Sequence, residues 1–331
     1  MLITDPTLLL GPFLQREALA SSRIEGTQAS LSDVLQSELD ITHINDDTAE
    51  VIRYVHATRL AYDLVHTLPI TQRLILQVHA TLLAGVRGAE RSPGEFRHSP
   101  VWVGSAGATP ESARYVPPLP QHLSALLTDW ERFVNDDGRK LPALVQAALM
   151  HYQFETIHPF LNGNGRIGRL LINLLLMDRD RLSHPLLYLS SYFETYRDDY
   201  YERLQAVRER GDITGWLTFF FQAVKAQATD AVNRSRQLIG IREELYSEAI
   251  KARSSLSQLV DMMVRNPFLT VKSVQTELKM TNQGARNLVK SAESRGWICS
   301  IGATGRGHRE SWYAPSILNI LEAPMEYSVT S

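Results

Sequence analysis

The chain has 331 residues, a net charge of −2, 44% hydrophobic residues and 21% charged residues, which is the composition of a soluble globular protein with two or three domains. No apolar run approaches the ~18 residues of a membrane span, and the N-terminus has no basic segment that would suggest a secretory signal. Cys299 is the single cysteine, which excludes an internal disulfide and favours a cytoplasmic location.

The charge is unevenly distributed along the chain. Residues 253–314 contain nine Lys and Arg against four Asp and Glu, so the rest of the chain is acidic. This asymmetry predicts a separate basic module near the C-terminus.

The first predicted element is a helix over residues 12–26. Pro12 suits its first turn, and Gly26 is a natural C-cap. Two amphipathic helices follow at 45–67 and 71–84. His79 lies among apolar residues of the second, where a hydrogen-bonded core or groove histidine is more common than a ligand.

Residues 86–120 break the helical pattern with turn residues and short extended pieces. A loop of this length within a compact domain is usually functional. The helical pattern returns at 119–137 and 142–157, as a short and a longer helix within 186–209, and as a long helix over 213–253.

The segment from His158 to Arg169, HPFLNGNGRIGR, carries the candidate chemistry. Its glycines let backbone N–H groups approach an anion, and an apolar run follows that predicts a buried helix. Arg166 and Arg169 are three residues apart, so both can reach one ligand. Within the segment, only His158 can take a proton near neutral pH.

Gly163, Gly165 and Gly168 also spell the dinucleotide pattern G-x-G-x-x-G. That pattern requires a strand running into the glycines, and the preceding residues are helical in pattern. We therefore reject the dinucleotide-fold interpretation.

At these residues the chain resembles the Fic family, whose pattern is H-P-F-x-[D/E]-G-N-G-R-x-x-R. It differs at one position, where Asn162 replaces the acidic residue. The resemblance implies a mainly α fold: a Fic-type helical bundle with a short β-hairpin flap. It also implies an enzyme that transfers AMP from ATP to Ser, Thr or Tyr hydroxyls of target proteins, releasing pyrophosphate.

The resemblance assigns roles within the motif. His158 would be the catalytic base and Phe160 an inward anchor, while Asn162 would help to hold Mg²⁺, more weakly than the family's acid because an amide brings no charge. Tyr200 is the best candidate for a further nucleotide contact, although core packing is equally compatible with the sequence. The nucleotide-binding residues would be Gly163, Asn164, Gly165, Arg166, Ile167, Gly168 and Arg169.

Residues 21–26, SSRIEG, resemble the family's inhibitory-helix motif. The resemblance implies that Ser21 and Glu25 are inhibitory residues and that Glu25 pairs with Arg169, the arginine expected to hold the γ-phosphate of ATP. It also implies that the flap, placed at Val101–Val116, docks the target protein by strand addition.

From about residue 254 the pattern changes to three short helices and a two-stranded ribbon, which predicts a winged helix-turn-helix. Its recognition helix would be Asn282–Arg295, with Arg306, His308 and Arg309 at the wing. The charge favours DNA binding through 254–315, whereas such modules also bind protein or pack on a neighbour. The predicted domains are 1–45, 46–212, 213–253, 254–315 and a tail at 316–331.

Three functions stay open at this point. The first is an AMP transferase that modifies targets and itself and is autoinhibited by Glu25. The second is the same fold performing de-AMPylation or another phosphate-containing group transfer. The third is a transcription regulator whose nucleotide site senses a ligand. A homodimer also stays open.

Overall fold

The computed structural model describes residues 7–39, 44–104, 107–251, 255–304 and 309–324. Within them the helices are α1 Thr7–Ile24, α2 Leu31–Ser37, α3 Asp46–Val65, α4 Gln72–Leu82, α5 Leu123–Asn135, α6 Ala143–Ile157, α7 Asn164–Asp178, α8 Ser190–Thr195, α9 Arg197–Arg210, α10 Ile213–Lys251, α11 Leu256–Arg265, α12 Val271–Glu277, α13 Asn282–Ser294 and α14 Pro315–Glu322. The strands are β1 Phe268–Thr270, β2 Cys299–Thr304 and β3 Arg309–Tyr313.

The chain divides into two compact units. One, the motif unit, comprises Ala20–Gln28 and Ala49–Gln227, and the other, the winged-helix unit, comprises Met1–Leu19, Ala29–Thr48 and Ala228–Ser331. The helices α1, α3 and α10 each contribute residues to both units. The domain boundaries predicted from the sequence stay a prediction.

The motif unit is helical, and its core is built around α6 and α7. Residues 164–176 of α7 are all buried, which follows from the nearly continuous apolar sequence after the motif. The α6 residues Phe154 and Met150 are fully buried, and Trp130 of α5 packs on Phe154 with ring centroids 5.8 Å apart. The two central helices therefore hold the loop between them, residues 158–163, on a rigid base.

The N-terminal helix begins earlier than its sequence predicted. It starts at Thr7, so Pro12 lies inside the helix rather than in its first turn. The predicted C-cap is confirmed, because Gly26 has φ 100° and accepts the left-handed conformation that ends a helix. The Gly26 N–H donates to Arg23 O and the Thr27 N–H to Ser22 O, which closes a Schellman motif.

The predicted flap is present in reduced form. Val103 and Tyr115 make one antiparallel bridge, with N–H···O distances of 2.8 and 3.1 Å. Residues 105 and 106 of the predicted Val101–Val116 segment lie outside the described residues. Trp102 and Val116 stay exposed on either side of the bridge.

The winged-helix prediction is confirmed, with one addition to the expected ribbon. The sheet has three strands in the order β1-β3-β2, and both strand pairs are antiparallel. The added strand is β1, which pairs with β3 through Phe268 and Tyr313. On α13 the buried face is Ala285, Leu288, Val289 and Ala292. The opposite face of this predicted recognition helix is exposed and carries polar side chains: Asn282, Gln283, Arg286, Asn287 and Lys290.

One feature of this unit was not predicted. Helix α14, Pro315–Glu322, starts at the last residue of the predicted domain 254–315 and continues into the predicted tail. Its residues Ile317, Leu318 and Leu321 are buried. At the wing, Arg306 and His308 lie outside the described residues. Among the described residues, no helix is both long and apolar enough to cross a bilayer.

Candidate active site

The loop between α6 and α7 is shaped by two left-handed residues. His158 has φ 51° and ends α6, and Gly163 has φ 83° and precedes α7. Asn164 closes the loop on itself, since its Oδ1 accepts from the Phe160 N–H and its Nδ2 donates to Phe160 O, both at 2.8 Å. The first N–H groups of α7 have no intrahelical partner and point at the loop, which is the geometry of an anion site.

His79 packs against this loop and is hydrogen-bonded to it. It is fully buried and stacks on Phe160 with ring centroids 3.7 Å apart. The Gly94 N–H donates to His79 Nδ1 at 2.9 Å, so the proton is on Nε2, which donates to Asn162 O at 2.9 Å. Burial lowers the pKa of His79 to about 4, which keeps the ring neutral. The predicted role as a hydrogen-bonded core histidine is confirmed.

Arg169 is bound by the end of α1. Its Nε donates to Ser21 Oγ at 2.9 Å, and its Nη2 donates to Ser21 O at 2.8 Å and to Glu25 Oε1 at 2.7 Å. The Arg169 side chain is 1% exposed, whereas that of Glu25 is 35% exposed. The structure therefore brings together Ser21, Glu25 and Arg169, the three residues that the inhibitory motif links.

The Glu25 carboxylate lies over the start of α7. A Cβ placed on Gly165 would stand 2.2 Å from Glu25 Oε1, so only glycine admits the carboxylate there. Burial tends to raise the pKa of Glu25, but the charge and hydrogen bond of Arg169, with further help from Arg166 and His158, hold that pKa below its ordinary value. A carboxylate thus occupies the space where the helix N-terminus would bind an anion.

Arg166 is held by a residue that no motif indicated. Glu50 of α3 lies with Oε2 3.4 Å from Arg166 Nη1, and its Oε1 accepts from Arg87 Nε at 2.6 Å. Both Glu50 and Arg166 are buried, and Arg166 Nη2 also donates to Asn162 Oδ1 at 3.4 Å. Arg166 Nε is buried with no hydrogen-bond partner in the described structure, so this guanidinium keeps donor capacity for a ligand.

His158 stands at the edge of the loop, partly exposed, with its ring next to these charges. Burial lowers the pKa of His158 to about 4, with Arg208 and Arg97 acting in the same direction and Glu25 and the Glu155 backbone opposing. The imidazole is therefore neutral near pH 7 and able to accept a proton.

Tyr200 lies beneath α7 rather than at the loop. It is 1% exposed, and its hydroxyl donates to His151 Nε2 at 2.8 Å, while His151 Nδ1–H donates to Gly168 O at 2.9 Å. This bridge braces the first turns of α7. A nucleotide contact through Tyr200 stays a prediction, and its buried hydroxyl already has a partner.

The remaining motif residues pack the loop rather than line it. Ile167 is 1% exposed and belongs to the core. Gly168 makes room for Glu155, whose Oε1 would stand 2.2 Å from a Cβ at that position. Glu155 Oε1 is buried with no hydrogen-bond partner in the described structure, and burial raises the pKa of Glu155 to about 7. Their assignment to nucleotide binding stays a prediction.

The protein ligands available for a metal are few. Within the described residues, no three His, Cys, Asp or Glu side chains cluster as a metal site. At the position of the family's acid, Asn162 presents an amide oxygen toward Arg166. One partly exposed amide oxygen fits a metal ion held chiefly by the phosphates of a bound nucleotide, and not an ion held by protein alone.

A helix N-terminus that faces a carboxylate, two buried arginines and a neutral histidine define this site in a helical protein. The model of the Fic/DOC family matches residues 69–176, and that described as Fic/DOC family N-terminal matches 1–63. The chain belongs to the Fic/DOC family. A model described as an HTH DNA binding domain matches residues 256–313.

Curated relatives and solved structures agree with this assignment. Protein adenylyltransferase Fic from Drosophila grimshawi is 36% identical over 169 residues, covering 51% of this chain and 30% of that protein. The protein of that name from Drosophila melanogaster is 35% identical, with 51% and 30% covered. The match therefore spans less than a third of these relatives' length.

Two solved structures share the fold. A Fic family protein from Desulfovibrio desulfuricans G20 superposes with a TM-score of 0.59 at 22% identity, covering 92% of this chain and 86% of that one. Fic-1 from C. elegans gives 0.52 at 23% identity, covering 70% and 64%.

Proposed function

We propose that this protein is an adenylyltransferase that moves AMP from ATP to Ser, Thr or Tyr hydroxyls of target proteins and of itself, and that Glu25 inhibits it. The observation that carries the proposal is the start of α7, where an anionic group, the Glu25 carboxylate, lies against Arg169 and the first helical turn, with buried Arg166 and neutral His158 in the same site. The names of the curated relatives support the same reaction.

In the proposed reaction the hydroxyl oxygen of the target attacks the α-phosphorus of ATP. His158 accepts the hydroxyl proton, the bond from the α-phosphorus to the bridging oxygen breaks, and pyrophosphate leaves. The N–H groups of Gly163, Asn164 and Gly165 would hold the β-phosphate, and Arg166 and Arg169 would neutralise the leaving pyrophosphate. Proton acceptance by a positioned base contributes roughly 10²–10⁴-fold.

Mg²⁺ would be bound in this site by the nucleotide's phosphates and by Asn162 Oδ1. A bound Mg²⁺ would supply charge neutralisation between the phosphates. Because Asn162 is uncharged, we expect weaker metal binding than a carboxylate would give at this position.

Inhibition follows from competition for Arg169. While Glu25 Oε1 accepts from Arg169 Nη2, that guanidinium cannot bind a γ-phosphate with the same donor. ATP would then bind with its phosphates displaced, and the α-phosphorus would be out of line with the attacking hydroxyl.

We place the target on the flap. Val103 and Tyr115 bridge each other, and the exposed Trp102 and Val116 flank the bridge. An extended target segment could add beside Val101–Val116 through backbone hydrogen bonds, with these side chains giving apolar contact. The target is a protein, and we retain the cytoplasm, from the single cysteine, as its expected compartment.

DNA binding by residues 254–315 is a second proposed function. The recognition helix α13 exposes Arg286 and Lys290 with three amide side chains, which are groups that contact phosphates and bases. The open alternatives for the motif unit are de-AMPylation, transfer of another phosphate-containing group, and ligand sensing without turnover.

The deciding experiment is intact-mass analysis of the Glu25→Gly variant incubated with ATP, Mg²⁺ and cell lysate. We expect a mass increase of one AMP per modified hydroxyl, on the variant itself and on lysate proteins. The Glu25→Gly, His158→Ala double variant is the control and should stay unmodified. A gain of phosphate or of phosphocholine instead would assign another transfer, and no gain at all would contradict the transferase proposal.

A further inference from the structure

Arg97 is the largest buried polar side chain near the loop that the proposed reaction does not use. It is 1% exposed, although a buried guanidinium is costly to desolvate. Burial accordingly lowers the pKa of Arg97 below its ordinary value. A side chain kept at such a cost must satisfy something specific, so its partners are informative.

Every side-chain hydrogen bond that the structure describes for Arg97 goes to a backbone carbonyl oxygen. Nε donates to His158 O at 2.8 Å, and Nη2 donates to Pro118 O at 2.6 Å and to Ile157 O at 3.4 Å. Nη1 donates to Ser99 O at 3.3 Å, and the Arg97 backbone N–H donates to Pro159 O at 2.9 Å.

These acceptors come from two places. Ile157, His158 and Pro159 are consecutive residues at the end of α6, where the last carbonyls of the helix lack intrahelical donors. A cation at that end also interacts favourably with the helix dipole. Arg97 therefore caps α6 from outside and fixes the left-handed turn at His158.

The other two acceptors are the two stems of the flap. Ser99 lies just before Val101 and Pro118 just after Val116, so one guanidinium holds both ends of the segment. Tyr115 adds a second tie, because its hydroxyl donates to Thr156 O at 2.7 Å in the last turn of α6. The flap and the backbone of His158 are thus parts of one hydrogen-bonded frame centred on Arg97.

We propose that Arg97 is a positioning residue that sets the distance between the target segment on the flap and the imidazole of His158. This inference rests on the proposed transferase function and deepens it. The planar fork of arginine can reach carbonyls on opposite sides at once, whereas the compact ammonium of lysine cannot. Arg97 is buried and its described side-chain hydrogen bonds all go to backbone carbonyls, so we expect its loss to spare nucleotide binding and slow transfer.

The test uses the full chain in the Glu25→Gly background, comparing Arg97→Lys with Arg91→Lys. Arg91 is the matched control because it lies on the same loop, is 58% exposed and pairs with its neighbour Glu90. Binding of Mg·ATP is measured by calorimetry and automodification by intact mass over time. We expect Arg97→Lys to bind ATP within about twofold of the parent and to transfer AMP about 100-fold more slowly, the effect of a misplacement near 1 Å. Arg91→Lys should match the parent in both.

Unchanged transfer in Arg97→Lys would overturn the inference, and so would loss of ATP binding in parallel with transfer, since that would mean a folding role only. A readout without turnover separates this failure from failure of the transferase proposal. In ¹³C-histidine NMR, the resonance that disappears in His158→Ala should be shifted or broadened by Arg97→Lys and unaffected by Arg91→Lys. An unchanged His158 resonance would overturn the inference even if the protein transfers nothing.

Discussion

The Glu25 carboxylate accepts a hydrogen bond from Arg169 at 2.7 Å, across 144 residues of sequence. The pair is asymmetric, because Arg169 is buried and Glu25 is one-third exposed. Arg169 also keeps two hydrogen bonds to Ser21, so removing the carboxylate leaves the guanidinium in place. In the proposed mechanism, the inhibitory carboxylate can therefore be removed without displacing the arginine that would hold the phosphate.

Replacement of Glu25 by glycine should therefore raise automodification with ATP. We expect an increase of at least about tenfold, since a tethered carboxylate competes at millimolar effective concentration. Glu25→Gln, which keeps the shape and loses the charge, should give an intermediate rate. Arg23→Ala is the control, because it changes a charged side chain two residues before Glu25 that pairs with Glu194 at 3.8 Å. Equal rates for Glu25→Gly and the parent would contradict autoinhibition, provided that lysate targets are modified by the parent.

The pH dependence of transfer should reflect the lowered pKa of His158. The base form is present above a pKa of about 4, so kcat of Glu25→Gly at saturating ATP should stay level from about pH 7.5 to about pH 5. The Glu25 charge raises the pKa of His158, so its removal should shift the fall of kcat in acid to still lower pH. A half-maximal point near the ordinary histidine value of ~6.5 would show that the imidazole is solvated during turnover.

Restoring a carboxylate at position 162 should strengthen metal binding. In the Glu25→Gly background we expect Asn162→Asp to lower the Mg²⁺ concentration for half-maximal transfer about fivefold, because Mg²⁺ prefers carboxylate oxygen. The nearby Arg166 Nη2 would gain an ion pair and limit the effect. Asn45→Asp is the control, because Asn45 is exposed and its side-chain oxygen accepts from the Thr48 N–H, a contact that aspartate keeps. An unchanged Mg²⁺ titration would mean that residue 162 does not contact the metal.

Acid should destabilise the motif unit through His151. Burial lowers the pKa of His151 to about 3, so the native ring stays neutral while the unfolded ring binds a proton below ~6.5. The contribution of neutral His151 to the free energy of unfolding is fully present above the pKa of the unfolded state. It is lost as the pH falls toward the pKa of the folded state, and the loss is about 2 kcal/mol at pH 5. His151→Phe should be destabilising at about pH 7.5 because Gly168 O and Tyr200 lose a partner, and less so at about pH 5.

Thermal or urea unfolding at the two pH values measures this difference. His184→Gln, an exchange at a more accessible histidine, is the control variant. If His151→Phe costs the same at both pH values, the ring is protonated in the native state.

The sequence predicts those parts of the site that depend on contacts between residues close together in the chain. A twelve-residue motif fixes the loop by nearest neighbours, as in the Asn164–Phe160 closure, and helices with long apolar periodicity were placed within a few residues. Glu50 and Arg97 were not found, because Glu50 contacts Arg166, 116 positions away, Arg97 contacts His158, 61 positions away, and neither belongs to a recognisable pattern. Hydrogen bonding to carbonyl oxygens leaves no signal in a sequence, since every residue has one.

Adjacent tyrosines show a second limit. Tyr200 and Tyr201 differ by one position, and sequence cannot tell which faces His151 and which faces the charges around Glu25. The early start of α1 was also missed, because it depends on packing with residues far away in the sequence. Leu9 and Phe13 are buried, and their packing extends the helix through Pro12 against local preference.

In the proposed mechanism, inhibition by Glu25 and phosphate binding at the start of α7 both require glycine at position 165. Any side chain there would meet the Glu25 carboxylate and also Arg169 Nη1, which lies 2.8 Å from the position of a Cβ. A mutation at this glycine cannot release the enzyme without damaging it, whereas Glu25 can change freely. We therefore expect relatives that have lost inhibition to carry substitutions at Glu25 or nearby at the end of α1, and to keep glycine at position 165.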